Sequence, residues 1–262
     1  MKKIISKKDL KSFEKSGYLL VNNVLKNNEL QDIRKVLKKL EKIQKSSRGV
    51  TEPGVKKSLI HSLHKEKGLN KIIEEKNWFQ EFSKKLLKTS SVSVWNAKSN
   101  LKQRWNGSVE YFHQDFIYWR ELGFQSSKML NCMVFIDDHS HLNGGLWIFP
   151  GSHKKLYKHK SFLNINSLHK YFIHPNLLDK LSLKFKPLSI TAKKGSCLFF
   201  HSKLIHGSSH NISSQDRKIL LYDVSTTEHF ERANKLKIRT FNRDYRKKFE
   251  KKILMQRLNA IS

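Results

Sequence analysis

Cysteine is scarce in this chain: among 262 residues only Cys132 and Cys197 occur, each inside an apolar run. That usage speaks against a disulfide framework and for buried free thiols in a reducing compartment. Long hydrophobic runs are lacking too. None approaches the roughly 18 residues that a membrane helix needs. The stretch Met1–Asp9 carries charge but no apolar segment, so a signal peptide is not expected and a cytoplasmic location is. Acidic residues are few, 22 Asp and Glu against 52 Lys and Arg, for a formal net charge of +30. Arginine is itself a minority, with 42 Lys to 10 Arg, whereas bidentate phosphate and base recognition favours Arg. The positive excess runs through residues 1–48, 49–230 and 231–262 alike. A solvated Lys-rich surface is the preferred reading, which speaks against nucleic acid as a partner; attraction to an anionic substrate or surface stays open. Internal repeats and low-complexity linkers are also missing.

What is present is enough apolar material for a packed core, 38% hydrophobic residues with 16 Phe, and length enough for one large domain. A single domain over 1–262 is expected, with a helical part over about 1–90, a β core over about 91–230 and a basic helix over about 242–262. Ser6 can cap a helix over Lys7–Ser16 that Gly17 ends, followed by a strand Tyr18–Val21. From Asn27 or Asn28, Leu30, Ile33, Val36, Leu37, Leu40 and Ile43 recur at helical steps. Ser46–Gly54 reads as a loop, and Leu59–Leu87 as mostly helical with an interruption near Gly68. Beyond residue 91 the texture becomes β, with strands over Val92–Ala97, Val109–His113, Met129–Asp137, Leu146–Phe149, Leu188–Thr191, Cys197–Phe200 and Ile219–Thr226. Short strands without αβ alternation predict a mainly β fold, an antiparallel barrel or jelly roll flanked by helices. Residues 153–186 form an insertion expected to be partly helical. In the tail, Tyr245, Phe249, Ile253 and Leu254 share a helical face, for docking or for a partner.

Two clusters carry chemistry. In Tyr111-Phe112-His113-Gln114-Asp115, a His and a carboxylate two residues apart point the same way on extended backbone. Such a pair needs a third ligand to close the 2-His-1-carboxylate face used by non-haem Fe(II) oxygenases. Downstream, His201, His206 and His210 compete for that place. Only His206 has an arginine, Arg217, eleven residues on. A guanidinium fork binds a carboxylate bidentately and keeps its charge, which suits the far end of a 2-oxo acid chelating the metal.

These residues resemble the phytanoyl-CoA dioxygenase family of Fe(II)/2-oxoglutarate oxygenases. The resemblance rests on His113-Gln114-Asp115, on Asn143 to His153 (NGGLWIFPGSH), and on His206-Gly207-Ser208 with Asn211, Ser213 and Arg217. Phe13 to Tyr18 with the strand and helix that follow adds to it. The matches span roughly residues 6–226 in the family's order, and the step from His206 to Arg217 is the family's own. The resemblance implies a double-stranded β-helix core. It makes His113, Asp115 and His206 the iron ligands, and Arg217 the partner of the distal carboxylate of 2-oxoglutarate, assisted by Ser208. It also places Asn100 and Trp119 near the co-substrate or pocket, beside plainer readings of Asn100 in a turn and Trp119 in the core. Pro150 to His153 reads as structural, with Ser152 as a cap. His153, His201, His210 and the pair His139 and His141 are not expected to hold metal.

The implied activity is hydroxylation of a C–H bond in a small molecule, consuming dioxygen and 2-oxoglutarate and releasing succinate and carbon dioxide. Related halogenases lack the carboxylate, so Asp115 argues for hydroxylation or a related oxidation. An anionic substrate is favoured mildly by the basic surface; substrate identity and oligomeric state stay open. The loops around 101–128 and the 153–186 insertion are the expected lids. The alternative is a barrel that binds metal or anions without turnover, its basic surface serving nucleic acid or an acidic partner.

Overall fold

The computed structural model describes residues 4–43, 49–50, 59–107, 109–121, 124–164 and 167–235. The expected tail helix over 242–262, and all of the Ser46–Gly54 loop except Gly49 and Val50, lie outside these residues.

Local chemistry sets the first elements. Helix α1 (Lys7–Ser16) starts in a capping box: the Asp9 N–H donates to Ser6 Oγ, and Ser6 N–H donates back to the Asp9 carboxylate. It stops at Gly17, whose φ of 81° lets its N–H turn back to the Phe13 carbonyl at 2.7 Å. Strand β1 (Tyr18–Val21) follows, then α2 (Asn27–Ile43), which buries Leu30, Ile33, Leu37 and Leu40 along one stripe.

The Leu59–Leu87 segment departs from expectation. After β2 (Gly49–Val50) come β3 (Leu59–Ile60), a 3-10 turn over Leu63–Lys65, α3 (Lys67–Ile72) and α4 (Asn77–Leu87). Gly68 lies inside α3 and breaks nothing, since a lone helical glycine costs only about 1 kcal/mol. The helical run is interrupted at Glu66, two residues before Gly68 and extended (φ −91°, ψ 99°), close to the expected place, and again at Ile73, whose backbone leaves the helical region (φ −120°, ψ −68°).

The remaining strands are β4 (Val92–Lys102), β5 (Glu110–His113), β6 (Met129–Phe135), β7 (Leu146–Ile148), β8 (Lys160–Asn164), β9 (Ser167–Phe172), β10 (Leu188–Ser189), β11 (Cys197–His201), β12 (His206–Ser208) and β13 (Arg217–Thr226). Helices α5 (Phe116–Glu121), α6 (Pro175–Lys184) and α7 (Thr227–Lys235) complete the described set. The class is therefore mixed α and β rather than mainly β. The 153–186 insertion has the helix α6, but its first half is the hairpin β8–β9. Strand β4 runs five residues past its expected end because β13 pairs with it as far as Lys102, opposite Arg217.

Two antiparallel sheets build the centre. The larger runs β1-β11-β6-β13-β4-β3-β2 and the smaller β10-β7-β12-β5. Period-two alternation divides the larger sheet. Ala97, Cys132, Val134, Cys197, Phe199, Leu220 and Tyr222 meet α2 and α4 on its outer face. Met133, Phe135, Leu198, Phe200 and Ile219 meet Leu146 and Ile148 of the smaller sheet on its inner face. Strand β6 is buried along its whole length for this reason. Cys132 and Cys197 are free and fully buried, as expected. No described helix is long and apolar enough to cross a membrane.

Candidate metal centre

His113 closes β5 and His206 opens β12, and the two are direct partners across that antiparallel ladder. Their rings stand 4.4 Å apart between centroids. Each imidazole is oriented by its own strand: His113 Nδ1 lies 2.7 Å from the Tyr111 carbonyl and His206 Nδ1 lies 2.9 Å from that of Leu204. With Nδ1 donating to those carbonyls, both Nε2 lone pairs face inward. Asp115 sits just past the end of β5, where the chain turns into α5. Its carboxylate lies 3.3 Å from His113 Nε2 and 3.5 Å from His206 Nε2. One donor atom from each of the three falls within 4.8 Å of the others.

Two nitrogens and one carboxylate oxygen converging from one side suit a divalent iron ion with open positions opposite, so these residues fit the metal. The electrostatics agree for Asp115 and His206, whereas at His113 burial is outweighed by the neighbouring Asp115, which raises it. Burial alone would raise Asp115, but His206, His113 and Lys98 hold its carboxyl well below the usual range, so it is ionised. Burial pushes His206 down to about 4, leaving a neutral imidazole ready to donate its lone pair. Asn131 on β6 fixes the carboxylate further, its Nδ2 donating to Asp115 Oδ2 at 2.6 Å.

Gln114, between the two ligands, faces away and is fully buried. Its amide donates to the Lys155 and Lys203 carbonyls and accepts from the Tyr157 N–H. The ligand segment is thus fastened both to the insertion and to the loop ahead of His206. Ser152 fastens that loop from another side. Instead of capping, as expected, its Oγ accepts the Ile205 N–H at 2.9 Å; Gly151, at φ 88°, takes the cap position.

The eleven residues from His206 to Arg217 are a folded loop. Asn211 Nδ2 donates to the carbonyls of Lys102 and Gln215, while its Oδ1 accepts from Ser213 N–H and Oγ. This returns the chain into β13 with Arg217 buried opposite Lys102. Arg217 Nη2 donates to the Gly144 carbonyl at 3.2 Å, and its Nε is buried without a protein partner. Burial lowers Arg217 only to about 10, so it keeps its charge at neutral pH. Lys102, 2% exposed, donates to Ser208 Oγ at 2.8 Å and to the Ser209 carbonyl. Gly144 covers the pair: at its φ of 74°, an added Cβ would lie 2.5 Å from Lys102 Cδ. His139 is nearby, its Nε2 accepting the Leu146 N–H. Burial, with Arg217 and Lys102 beside it, keeps His139 neutral. Sequence reasoning missed Lys102, Asn131 and Gln114; the signal for Lys102 was the alternation Lys98, Asn100, Lys102 on one strand.

Among the other expected residues, Ser208 shares a strand face with His206 and meets Lys102. Asn100 belongs to β4, paired with Ile219 and Leu59, so the turn reading fails because the strand continues through it. Trp119 is packed edge-on against Trp95 at 5.6 Å, in a cluster with Phe116, Phe124 and Met129, which is the core reading. His153 and His201 pack against each other, tilted, with ring centroids 5.3 Å apart, and neither belongs to the triad.

Known proteins are similar to this chain. The family model for phytanoyl-CoA dioxygenase (PhyH) matches residues 13–219. Ectoine dioxygenase of Stutzerimonas stutzeri is 28% identical, over 80% of this chain and 73% of its own. L-proline trans-4-hydroxylase of Streptomyces griseoviridis is 30% identical, over 50% of this chain and 53% of its own. The crystal structure of EctD from S. alaskensis with bound Fe superposes with a TM-score of 0.75, at 21% identity, over 86% of this chain and 78% of that one. With the match running from α1 through the triad into β13, the chain belongs to the phytanoyl-CoA dioxygenase family and is an Fe(II)- and 2-oxoglutarate-dependent dioxygenase.

Proposed function

We propose that the protein hydroxylates a C–H bond of a small molecule, with Arg217 and Ser208 seating the distal carboxylate of 2-oxoglutarate and Lys102 beside them as a second cation. In this reading the two facing sheets form a double-stranded β-helix within a single domain. The observation that carries it is the buried Arg217 Nε, unpartnered and next to the Lys102–Ser208 contact, with Ser208 on the same strand as His206. A guanidinium desolvated to this degree is stabilised by an anion, and a dicarboxylate would supply one.

Bound at His113, Asp115 and His206, iron with 2-oxoglutarate would supply the oxidising chemistry that places one oxygen atom of dioxygen on the substrate and the other in succinate. The chain's own residues hold and orient. His113 and His206 present Nε2 because Tyr111 and Leu204 take Nδ1. Asn131 keeps Asp115 turned toward them. Arg217 and Lys102 would neutralise the co-substrate's far charge, and Ser208 Oγ, already held by Lys102, would add a hydrogen bond. The neutral His139 adds no third positive charge there. Asn100 faces the same interior as Lys102 and could reach the co-substrate; Trp119 would act through packing around α5.

Anaerobic addition of Fe(II) and 2-oxoglutarate tests this reading. A weak visible charge-transfer band is expected in the wild type and is absent in His113→Ala. Arg217→Ala should weaken 2-oxoglutarate by about 2–5 kcal/mol, the usual loss when one partner of a buried charge pair is removed. A variant that binds 2-oxoglutarate as well as wild type would refute the seat.

A further inference from the structure

The inner face of the larger sheet carries a row of polar side chains with hydrogen-bonding capacity left over beyond what holds Asp115. Asp223 of β13 pairs in register with Asn96 of β4 on one side and Asn131 of β6 on the other. Asn96 Nδ2 donates to Asp223 Oδ2 at 2.7 Å, and Asn131 Nδ2 donates to the metal-ligating Asp115. One oxygen on each of Asp223 and Asn131 is left over: Asp223 Oδ1 and the Asn131 amide oxygen Oδ1 are both buried without a hydrogen-bond partner. Asp223 is 2% exposed and Asn131 is fully buried, so bulk water does not satisfy them. Leaving two such acceptors unmet is costly, and a ligand with N–H donors would recover that cost.

A cation stands two residue pairs along the same strands. Lys98 alternates with Asn96 and Asn100 on β4 and pairs with Leu221, two residues before Asp223. Burial works against its charge, but Asp223, Asp115 and Glu110 outweigh it and keep the ammonium protonated. Lys98 also acts electrostatically on His206, which places it within range of the metal ligands. Lys98 and Asp223 attract each other, yet no hydrogen bond joins them among the described residues. A half-buried cation and a buried carboxylate held apart on one sheet face suit a guest that carries both opposite charges.

We propose that Asp223, Asn131 and Lys98 form the substrate seat, and that the substrate is a small zwitterion of the amino-acid type. Its N–H donors go to Asp223 Oδ1 and Asn131 Oδ1, and its carboxylate goes to Lys98. The inference rests on the oxygenase reading above and names the substrate class for that site. In this seat the bond to be oxidised is a C–H near the charged end of the molecule, because Asn131 touches both the seat and Asp115.

Calorimetry on the anaerobic Fe(II)- and 2-oxoglutarate-loaded protein tests it. The probes are the free α-amino acids and cyclic imino acids, each with its methyl ester and its N-acetyl derivative. At least one free zwitterion should bind, and both of its derivatives should bind at least about tenfold more weakly, roughly one lost charge-assisted contact. That comparison needs no variant. Lys98→Met should weaken the zwitterion about tenfold and close its gap to the methyl ester. Asp223→Asn should do the same for the N-acetyl derivative. The proposal is overturned if no zwitterion binds while the visible band is present, or if esters and N-acetyl compounds bind as well as the parents. It is equally overturned if correctly folded Lys98→Met and Asp223→Asn proteins retain full affinity, in which case water fills the row. Loss of the band with zwitterion binding intact would refute the oxygenase reading and still support the seat.

Discussion

His113 and His206 face each other as a paired position of the β5–β12 ladder, so the geometry of two metal ligands is set by backbone hydrogen bonds rather than by loop conformation. Asp115, two residues beyond the strand, is the adjustable member, and it is held by Asn131 from the opposite sheet. The triad therefore bridges both sheets, and metal binding should be linked to the stability of the whole core.

The linkage gives the first expectation. A divalent ion that binds only the folded state stabilises it by about 2.7 kcal/mol at a hundredfold excess over its Kd. Anaerobic Fe(II), or Co(II) as a substitute, should raise the melting temperature of the wild type by several degrees and leave His206→Ala unmoved. An equal rise in His206→Ala would place the ion elsewhere.

Asn131→Leu isolates the contact that orients Asp115. The substitution keeps volume in a fully buried strand position but removes the 2.6 Å hydrogen bond to Asp115 Oδ2. Partners of this kind usually govern about 10–100-fold in metal affinity. Iron affinity should fall by that amount while the charge-transfer band, once saturated, keeps its position. Unchanged affinity would mean that the ladder alone positions the carboxylate.

Lys102→Met separates the co-substrate pocket from the metal. Lys102 touches Ser208, not the triad, so iron affinity should persist. The concentration of 2-oxoglutarate that half-saturates the visible band should rise more than about tenfold, one charge-assisted contact being worth about 1.5–3 kcal/mol. A variant that saturates at the wild-type concentration would restrict the anion seat to Arg217 and Ser208.

Lys102 also marks what was hidden in the sequence. In a chain with so many lysines, one at the end of a strand reads as a solvated charge, and its burial follows only from β4 continuing far enough to pair with Arg217. Asn131 was concealed for the opposite reason, as one polar residue in an apolar run whose two faces are both covered. The triad was legible because each ligand stands in a cluster with its own chemistry, and α1 because its capping box and terminal glycine are local signals. Strand β12 went unread: three residues containing a glycine have no periodicity, and only its pairing with β5 and β7 makes it a strand. The hairpin β8–β9 was missed because a Lys- and His-rich insertion carries neither a clear alternation nor a turn glycine.

A pH effect far from the metal follows from Glu74, between α3 and α4. Burial raises its carboxyl to about 7, with Glu75 adding to the shift, and its Oε1 is buried without a partner. A carboxylate whose folded pKa lies above its unfolded value binds its proton more tightly in the native state. Its stabilising contribution is complete below about pH 4.5, declines as pH rises, and is gone above about 7. Glu74→Gln holds the neutral form at every pH. Its melting temperature should therefore match the wild type at pH 5 and exceed it at pH 8, with the difference opening between those values. A constant difference across that range, or one that grows toward low pH, would show that Glu74 is ionised in the folded protein and compensated by a neighbouring cation.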